Sequence, residues 1–446
     1  MAEYDVIVVG GGPGGYTAAL HGAKAGLRVA LFEQDLLGGT CLNRGCIPTK
    51  ALLHAAALYH QSANGAVCGV HCAPRYDMGE MHQYAQGVMA QLRSGVAGLL
   101  QRAKVEVISA RAQLHDAHTV SAAGQQYTAQ HIILAVGSLP FMPPIEGIDG
   151  ARVHTSDYFL EQPVDAKSLV IVGGGVIGVE MAQIYCRLGA QVTLLEGMPR
   201  LLPSLDKEVG QSVATALKKQ GVQVITNAQV SAFDSQAELV HCHYTQKQGA
   251  AQCCTAVRAL VCVGRRANTA GLFADGFEIP TERGLLAVNA QGLTAVPNIY
   301  AIGDVVLGGV QLAHAAEAQG VNVICSILGK PMEKDLSLIP ACVFTDPEIA
   351  TVGLSAEQAK VAGIAVITAK KLTSANGRSL VEGAERGFVK LVAEAETQRL
   401  VGAVLCCTHA GEMVGGLTAA IAAGLTLTQL EATIFPHPTV SETIVG

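Results

Sequence analysis

The chain has 446 residues, half of them hydrophobic, which is enough for about two to four packed domains and excludes a disordered protein. Its formal net charge of −6, from 30 basic and 36 acidic side chains, excludes the basic surface that nucleic-acid binding requires. Thirteen cysteines in a chain of this length are not a secreted disulfide framework, and the start MAEYDVIVVGGG has no targeting signal, so we expect a cytoplasmic protein.

The chain opens with a pattern typical of a dinucleotide-binding unit. An apolar run predicts a strand, Gly10, Gly12 and Gly15 form a G-x-G-x-x-G turn, a helix follows, and a second predicted strand ends at Glu33. In such a unit the glycines allow a tight turn and close backbone approach, the helix N-terminus meets the pyrophosphate, and the carboxylate binds ribose hydroxyls. A single copy is weak support, because glycine turns also join strands to helices without any ligand.

The same pattern recurs 163 positions later, from residue 10 to residue 173. The first-copy residues Gly10, Gly12, Gly15, Gly26 and Glu33 fall on Gly173, Gly175, Gly178, Gly189 and Glu196. Two complete copies predict two nucleotide sites, and electron transfer between two nucleotides is the simplest reason for both. Glu196 would repel a 2′-phosphate and Arg200 is the only basic residue nearby, so the second copy favours NAD over NADP.

Two cysteines follow the first copy within GGTCLNRGCIPTK at 38–50. Cys41 and Cys46 lack the spacing and further ligands of a metal site, and their four intervening residues differ from the two of a thioredoxin-like pair, so no metal site is predicted. Residues five apart in a helix are about 8 to 9 Å apart, whereas a disulfide needs less than about 7 Å. A disulfide therefore requires a bend, which Asn43 and Gly45 allow. Spacing alone leaves open a redox disulfide or two buried thiols.

Two further features are predicted to be structural. The uncharged run at 413–430 contains three glycines and three threonines, so it predicts a buried helix rather than a membrane span. The vicinal cysteine pairs at 253–254 and 406–407 have no metal-ligand set around them, so we expect both to be small packing residues.

A series of motifs in one order runs along nearly the whole chain. These are GGTCLNRGCIPTKALL at 38–53, ILAVGSLP at 133–140, GGGVIGVE at 173–180, VGRRANT at 263–269, YAIGDV at 300–305, LAH at 312–314, FTDPEIATVG at 344–353, ANGR at 375–378 and HPTVSE at 437–442. In these motifs the chain resembles the pyridine nucleotide-disulfide oxidoreductases. The resemblance implies an α/β fold with two Rossmann-like dinucleotide-binding domains and a C-terminal α+β interface domain.

The resemblance also implies where the domains lie. We expect an FAD-binding domain in two segments, 1–150 and 265–335, with an NAD-binding domain at 151–264 inserted between them. The interface domain at 336–446 would pair two subunits into a homodimer.

The family's site residues carry over where the motifs match. Cys46 would lie against the flavin as the charge-transfer thiolate, Cys41 would exchange with the disulfide substrate, and Lys50 beside the flavin would pair with Glu180. Asp304 would hydrogen-bond the ribityl chain of FAD. The residues expected to bind FAD are Gly10, Gly12, Gly15, Glu33, Gly39, Thr40, Lys50, Gly137, Gly303, Asp304, Ala313 and His314, and those expected to bind NAD are Gly173, Gly175, Gly178, Glu196 and Gly264.

The acid-base group implied by the resemblance lies near the end of the chain. His437, held by Glu442, would serve the thiol pair of the partner subunit, so each active site would need a dimer. The stretch from Thr439 to Glu442 also fits a helix capping box, which is a purely structural alternative. The family usually continues with a helix beyond this motif, whereas the sequence stops at Gly446, so we expect packing of the interface domain to anchor His437.

The implied activity is the NAD-dependent oxidation of dihydrolipoamide. The expected partner is a lipoyl-bearing protein of a 2-oxo acid dehydrogenase complex or of the glycine cleavage system, with neither nucleic acid nor membrane involved. Within the family, Glu196 disfavours a glutathione reductase, which uses NADPH, and the position of the 406–407 cysteines disfavours a mercuric reductase. A catalytically degenerate assembly subunit is the alternative from another class, and the intact cysteine pair argues against it.

Overall fold

The computed structural model describes residues 3–247, 249–384 and 386–445. The strands are β1 (Tyr4–Val9), β2 (Val29–Glu33), β3 (Glu106–Ser109), β4 (Gln113–Leu114), β5 (Thr119–Ala122), β6 (Gln125–Leu134), β7 (Ser138–Pro140), β8 (Val153–Thr155), β9 (Ser168–Val172), β10 (Gln191–Glu196), β11 (Gln223–Thr226), β12 (Ala228–Ser235), β13 (Val240–Gln246), β14 (Gln252–Ala256), β15 (Arg258–Val261), β16 (Arg265–Ala267), β17 (Thr281–Glu282), β18 (Leu285–Leu286), β19 (Ile299–Ala301), β20 (Ala341–Val343), β21 (Ile349–Gly353), β22 (Val366–Leu372), β23 (Phe388–Glu394) and β24 (Leu400–Cys406).

The α-helices are α1 (Pro13–Lys24), α2 (Gly39–Arg44), α3 (Cys46–Asn64), α4 (Met78–Arg102), α5 (Ser156–Glu161), α6 (Val176–Arg187), α7 (Lys207–Lys219), α8 (Ala313–Ile327), α9 (Ala356–Val361), α10 (Gly377–Val381), α11 (Ala410–Ala422) and α12 (Leu427–Glu431). Short 3₁₀ helices lie at Gly65–Cys68, Gly303–Val305, Thr373–Ala375 and Val440–Ile444.

The first sheet has a parallel part in the order β3-β2-β1-β6, and α1 connects β1 to β2 as the first glycine pattern predicts. β19 pairs in parallel with the carboxyl-terminal half of β6, while β5 and β4 extend the sheet from the other half in antiparallel fashion. Val6, Ile7 and Val8 of β1 have no exposed surface, because the sheet is covered on both faces.

The second sheet repeats this plan with the parallel order β11-β10-β9-β15-β8. α6 connects β9 to β10, and α7 connects β10 to β11. An antiparallel meander of β12, β13 and β14 follows before the chain returns to the sheet at β15. Both glycine turns therefore lie at the carboxyl end of a parallel strand, where α/β sheets bind their ligands.

The C-terminal part is an antiparallel sheet in the order β20-β21-β24-β23-β22, with α11 packed against β21 and β24. Its core contains the fully buried side chains Ala350, Ala393 and Leu405 together with Val414 and Leu417 of α11. The predicted fold class, two dinucleotide-binding units followed by an α+β domain, is confirmed.

The run at 413–430 was expected to form one buried helix, and that prediction is wrong. The structure divides it into α11 and α12, because Gly424 adopts a φ of +67° that ends the first helix. Only one face of α11 is buried. Among the residues that the structure describes, no helix is both long and apolar enough to cross a membrane.

The two vicinal cysteine pairs differ in how deeply their side chains are buried. Cys406 and Cys407 are buried in the C-terminal part of the molecule, as expected for packing residues. Cys254 lies opposite the buried Cys242 across β13 and β14. Cys253 is exposed, so the packing prediction fails for that residue, since side chains alternate between the two faces of a strand.

The predicted domain boundaries stay a proposal, which the pairing of strands supports. β16, at the start of the expected second FAD segment, pairs with β7 of the first segment. The chain thus returns to the first unit immediately after β15, the last strand of the second sheet.

Candidate active site

Both glycine turns and the thiol pair line one cavity of about 1300 Å³. The predicted site residues that line it are Gly10, Gly12, Glu33, Gly39, Thr40, Cys41, Cys46, Lys50, Gly137, Gly173, Gly175, Glu180, Glu196, Gly264, Gly303, Asp304, Ala313 and His314. In the part of the chain that the structure describes, the lining of this cavity does not include four predicted site residues, Gly15, Gly178, His437 and Glu442. The sequence repeat therefore produces two sites that share one space with the thiols.

The glycines of the two turns are required by backbone geometry. Gly10 and Gly173 have φ of +109° and +114°, a region that favours glycine. A Cβ on Gly15 would lie 1.8 Å from the Gly10 carbonyl oxygen, and a Cβ on Gly178 would lie 1.8 Å from that of Gly173. The third glycine of each pattern thus allows the helix to pack against the turn rather than contacting a ligand.

The acidic residue of each copy is held by its own glycine turn. Glu33 Oε2 accepts a hydrogen bond from the Gly11 N–H at 2.7 Å, and Glu196 Oε2 accepts one from the Gly174 N–H at 2.6 Å. Burial raises the pKa of Glu33, and hydrogen bonds from the backbone N–H groups of Gly11 and Gln34 act in the opposite direction. Each carboxylate is therefore fixed at the cavity wall, in the place where the pattern expects it to bind ribose.

The thiol pair lies at a break between two helices. Cys41 belongs to α2 and Cys46 begins α3, with Gly45 between them. A Cβ on Gly45 would lie 2.9 Å from the carbonyl oxygen of Thr40, so a side chain would block the close approach that the bend needs. The bend that a disulfide requires is thus present, and the prediction that Gly45 supplies it is confirmed.

Asn43 has a different role from the predicted one. It lies inside α2 and is buried, and its side-chain amide donates to the carbonyl oxygens of Leu37 at 3.1 Å and Gly39 at 2.9 Å. Arg93 from α4 donates to Asn43 Oδ1 at 2.9 Å. Asn43 therefore fixes the loop that leads into the thiol segment and does not form the bend.

The pKa values of the two thiols are shifted in opposite directions. A hydrogen bond from Cys41, assisted by the nearby charge of Lys50, lowers the pKa of Cys46 to about 7, although desolvation by the surrounding protein acts in the opposite direction. The Cys46 side chain itself is exposed to the open cavity. The same hydrogen bond together with burial raises the pKa of Cys41. Cys46 also begins a helix, a position that stabilises a thiolate. In the reduced pair, Cys46 is therefore the more acidic of the two thiols.

Lys50 and Glu180 form the ion pair that the resemblance implies. Lys50 Nζ lies 3.0 and 2.9 Å from the two carboxylate oxygens of Glu180, which is 2% exposed. Phe344 completes the group, because its backbone N–H donates to Glu180 at 2.9 Å and its ring lies 4.7 Å from Lys50 Nζ. Sequence reasoning missed Phe344, although it is the first residue of the FTDPEIATVG motif.

Asp304 lies in a polar group that the sequence patterns did not identify as a unit. Ser138 donates to Asp304 Oδ2 at 2.5 Å, Arg265 Nε donates to Ser138 Oγ at 2.7 Å, and Arg265 Nε lies 4.0 Å from Asp304 Oδ2. Both partners occur inside the quoted motifs ILAVGSLP and VGRRANT, which was the available signal.

Tyr16 and Glu317 lie near Cys41 and were also missed. The Tyr16 hydroxyl donates to Glu317 at 3.1 Å, and burial raises the pKa of Tyr16. The negative charge of Glu317 is one of the causes that raise the pKa of Cys41. His314, by contrast, has a ring nitrogen 2.7 Å from the carbonyl oxygen of Pro340, a structural contact at the cavity wall.

His437 and Glu442 form the expected dyad outside the cavity of their own chain. His437 Nδ1 lies 2.9 Å from Glu442 Oε1, and the His437 side chain is 79% exposed. Glu442 Oε2 also accepts from the Thr439 N–H at 2.9 Å, so the capping box is present as well. These two hydrogen bonds lower the pKa of Glu442, so it is a carboxylate at neutral pH.

The fold and this site define a disulfide oxidoreductase with two dinucleotide sites. Residues 4–320 match the pyridine nucleotide-disulphide oxidoreductase family, and residues 339–446 match the dimerisation domain of that family. The chain belongs to this family, whose members use FAD and NAD(H). The matched dimerisation domain supports a homodimer.

Relatives cover the chain from end to end. It is 40% identical to a dihydrolipoyl dehydrogenase of Thermus scotoductus over 99% of this chain and 96% of that protein. It is 39% identical to one of Geobacillus stearothermophilus over 99% and 94%. The HOCl-induced flavoprotein disulfide reductase RclA from Escherichia coli has a TM-score of 0.88 at 31% identity, covering 99% of this chain and 98% of RclA. LpdA from Mycobacterium tuberculosis has a TM-score of 0.90 at 26% identity, with the same coverage of both chains.

Proposed function

We propose that this chain is an NAD-dependent dihydrolipoyl dehydrogenase that works through FAD and a redox disulfide between Cys41 and Cys46. The observation that carries the proposal is the single cavity in which the thiol pair, the Lys50–Glu180 ion pair and both glycine turns meet. Relatives named dihydrolipoyl dehydrogenase match the chain over 99% of its length.

The first unit fits FAD. A Cβ on Gly12 would point into the cavity, with only the Gly39 Cα 3.9 Å away among the atoms described, so the turn leaves room for a pyrophosphate. Glu33 faces the ribose position, and Asp304 with Ser138 and Arg265 supplies polar groups for the ribityl chain. FAD, when bound, carries the electron pair between the thiols and the nicotinamide nucleotide.

The second unit fits NAD better than NADP. Glu196 is buried at the end of β10 and its charge opposes a 2′-phosphate. Arg200, the basic residue nearby, already donates to the carbonyl oxygens of Pro203 at 3.0 Å and Leu205 at 3.2 Å. Its guanidinium is therefore engaged by the backbone rather than turned toward the ribose.

The thiols divide the exchange reaction between them. In the oxidised enzyme, one thiolate of the substrate attacks Cys41, which forms a mixed disulfide and releases Cys46 as a thiolate. The low pKa of Cys46 makes it a good leaving group and Lys50 stabilises its charge. The second substrate thiolate then attacks the substrate sulfur of the mixed disulfide, which closes the substrate disulfide and releases Cys41 as a thiolate that takes up a proton to become the thiol.

The proton acceptor for the substrate thiols is His437 of the partner subunit. Glu442 holds Nδ1 of this histidine, which leaves Nε2 for the proton. The dyad is exposed on the surface of its own chain, and the described lining of that chain's cavity does not include it. This position suits a group that acts on the active site of the other subunit in a dimer. The active unit is therefore a homodimer with two shared sites.

The physiological substrate in this proposal is a lipoyl group on another protein. The carrier belongs to a 2-oxo acid dehydrogenase complex or to the glycine cleavage system. The proposal also includes the division of the chain into four segments that form the FAD, NAD and interface domains. It further includes a cytoplasmic location, because the chain has many cysteines without a secreted disulfide framework.

The test is the initial rate of NADH formation by the purified flavoprotein given dihydrolipoamide and NAD, with NADP in a parallel reaction. Rapid turnover with NAD and little with NADP is the expected result. A flavin that NADH reduces without any dihydrolipoamide turnover would reject the substrate while leaving the family assignment intact.

A further inference from the structure

A cluster of three metal-ligating side chains lies outside the active-site cavity. His21 Nε2 is 3.8 Å from Glu333 Oε1, and Cys325 Sγ is 3.7 Å from the same oxygen. The imidazole, thiol and carboxylate ligand atoms all lie within 4.8 Å of one another. Cys325 is 1% exposed, whereas the Glu333 side chain is 54% exposed, so the cluster opens to solvent on the carboxylate side.

The three residues come from two packed helices and the loop that follows them. His21 is in the last turn of α1, and Cys325 is near the end of α8. These helices approach closely, since a Cβ on Gly320 would lie 2.7 Å from the carbonyl oxygen of Gly14. The amino-terminal ends of both helices border the active-site cavity, so the cluster lies at their opposite ends.

The loop that carries Glu333 is fixed by its own hydrogen bonds. Asn322 of α8 is 4% exposed, and its Oδ1 accepts from the N–H groups of Glu333 at 3.1 Å and Lys334 at 2.9 Å. Its Nδ2 donates to the Lys334 carbonyl oxygen at 2.8 Å, and the Lys330 N–H donates to the Cys325 carbonyl oxygen at 2.9 Å. The backbone at Glu333 is therefore placed beside Cys325 independently of any ion.

We propose that His21, Cys325 and Glu333 form a binding site for one zinc-class divalent cation. Thiolate, imidazole and carboxylate together are a ligand set that Zn²⁺ accepts, and hard cations such as Mg²⁺ avoid thiolates. In a tetrahedral site with ligand bonds of about 2.0 to 2.3 Å, ligand atoms are about 3.3 to 3.6 Å apart. Two of the three separations, 3.7 and 3.8 Å, are close to that geometry, and the third, between His21 Nε2 and Cys325 Sγ, is within 4.8 Å and would shorten on binding.

Binding releases one proton from the Cys325 thiol to solvent and needs no redox step. The Cys325 thiol donates a hydrogen bond to Glu333 Oε1, and the cation replaces that proton when the sulfur binds as a thiolate. The three side chains supply three ligands, and water fills the fourth position. This site is independent of the proposed dihydrolipoamide activity.

Co²⁺ titration of the FAD-loaded protein tests the site, because a cobalt-bound thiolate gives a charge-transfer absorption that can be followed in difference spectra. The protein is kept with the Cys41–Cys46 pair oxidised, so that those thiols cannot bind the metal, and Zn²⁺ is then added in competition. The expected result is one Co²⁺ per chain with a thiolate band, displaced by Zn²⁺.

The ligand variants decide the outcome. Cys325→Ser should lose the thiolate band, and His21→Gln and Glu333→Gln should each weaken binding at least about tenfold. The matched controls Cys68→Ser and Glu396→Gln change exposed residues elsewhere and should bind Co²⁺ as the unchanged protein does. No thiolate band in the unchanged protein would overturn the proposal. So would undiminished affinity in His21→Gln and Glu333→Gln, two partly exposed positions that can be tested even if Cys325→Ser does not fold.

Discussion

The two dinucleotide units have the same pattern of glycines and acids but different surroundings. In the first, Gly39 at the start of α2 lies beside the turn, and a Cβ on Gly12 would be 3.9 Å from the Gly39 Cα. In the second, a Cβ on Gly175 would meet no described atom within 4 Å. A covered turn suits a tightly held flavin and an open one suits a nicotinamide nucleotide that exchanges in every cycle. We propose that the neighbours of the pattern, rather than the pattern, decide which ligand each unit holds.

The helices after the two turns differ in the same way. Gly14 in α1 allows close packing against α8, whereas Ile177 occupies the matching position of α6. α6 instead packs against α3 and thereby brings Glu180 to Lys50. The second unit thus supplies part of the thiol site as well as a nucleotide site.

The largest expected effect comes from matched changes at the two turns. Gly12→Val should give protein without flavin and without activity, because the new side chain occupies the pyrophosphate position. Gly175→Val should keep its flavin and raise the KM for NAD at least about tenfold, a loss of about 1.4 kcal/mol. Flavin absorbance per chain and NAD kinetics measure both. Flavin loss in Gly175→Val equal to that in Gly12→Val would remove the distinction between the units.

A group from outside both units should give the next largest effect. His437→Gln is expected to lower dihydrolipoamide oxidation at least about 100-fold, the usual scale of general acid-base catalysis, while NADH still reduces the flavin. His409→Gln is the control, since His409 forms a similar exposed pair with Glu382 at 3.1 Å. Equal rates in the two variants would remove His437 from the mechanism.

The acidic residue of the second unit should set its nucleotide preference. Glu196→Gln is expected to raise the KM for NAD about tenfold and to narrow the preference for NAD over NADP, because the charge opposing a 2′-phosphate is gone. Flavin content should not change. An unaltered ratio of kcat/KM values for the two nucleotides would show that another group makes the selection.

The two members of the Lys50–Glu180 ion pair should shift the pKa of Cys46 in opposite directions. In the two-electron-reduced flavoprotein, where the Cys41 thiol still donates its hydrogen bond, the long-wavelength thiolate-to-flavin band should increase as pH rises through about 7, as Cys46 loses its proton. Lys50→Met should raise this midpoint and Glu180→Gln should lower it, since the first removes a positive charge and the second a negative one. A rise of about one pH unit reduces the thiolate fraction at pH 7 about fivefold. Lys360→Met, an exposed control, should leave the midpoint unchanged.

Sequence patterns predicted what is encoded locally. The repeat of Gly10 and Glu33 at Gly173 and Glu196 gave both parallel sheets and both turns, because these features depend on residues close together in the chain. The bend at Gly45 followed from the length of a disulfide. The prediction of a single helix at 413–430 was wrong, because a hydrophobic run does not show where a glycine will adopt a positive φ.

Contacts between distant segments could not be predicted in this way. Arg93 reaches Asn43 from α4, and Phe344 reaches the Lys50–Glu180 pair from the C-terminal part of the chain. No periodicity or spacing joins such residues, since only tertiary packing places them together. The proposed contact of the His437 dyad with a thiol pair is even harder to predict from sequence patterns, because it involves a second subunit.

Reduction of the thiol pair by NADH alone tests most directly whether the second unit delivers electrons to the thiols beside the first. The oxidised flavoprotein would be mixed with NADH or NADPH without oxygen or dithiol, alkylated, and analysed for labels at Cys41 and Cys46. Two new labels with NADH and few with NADPH are the expected result. An unlabelled pair after NADH has reduced the flavin would contradict the proposed connection between the two units.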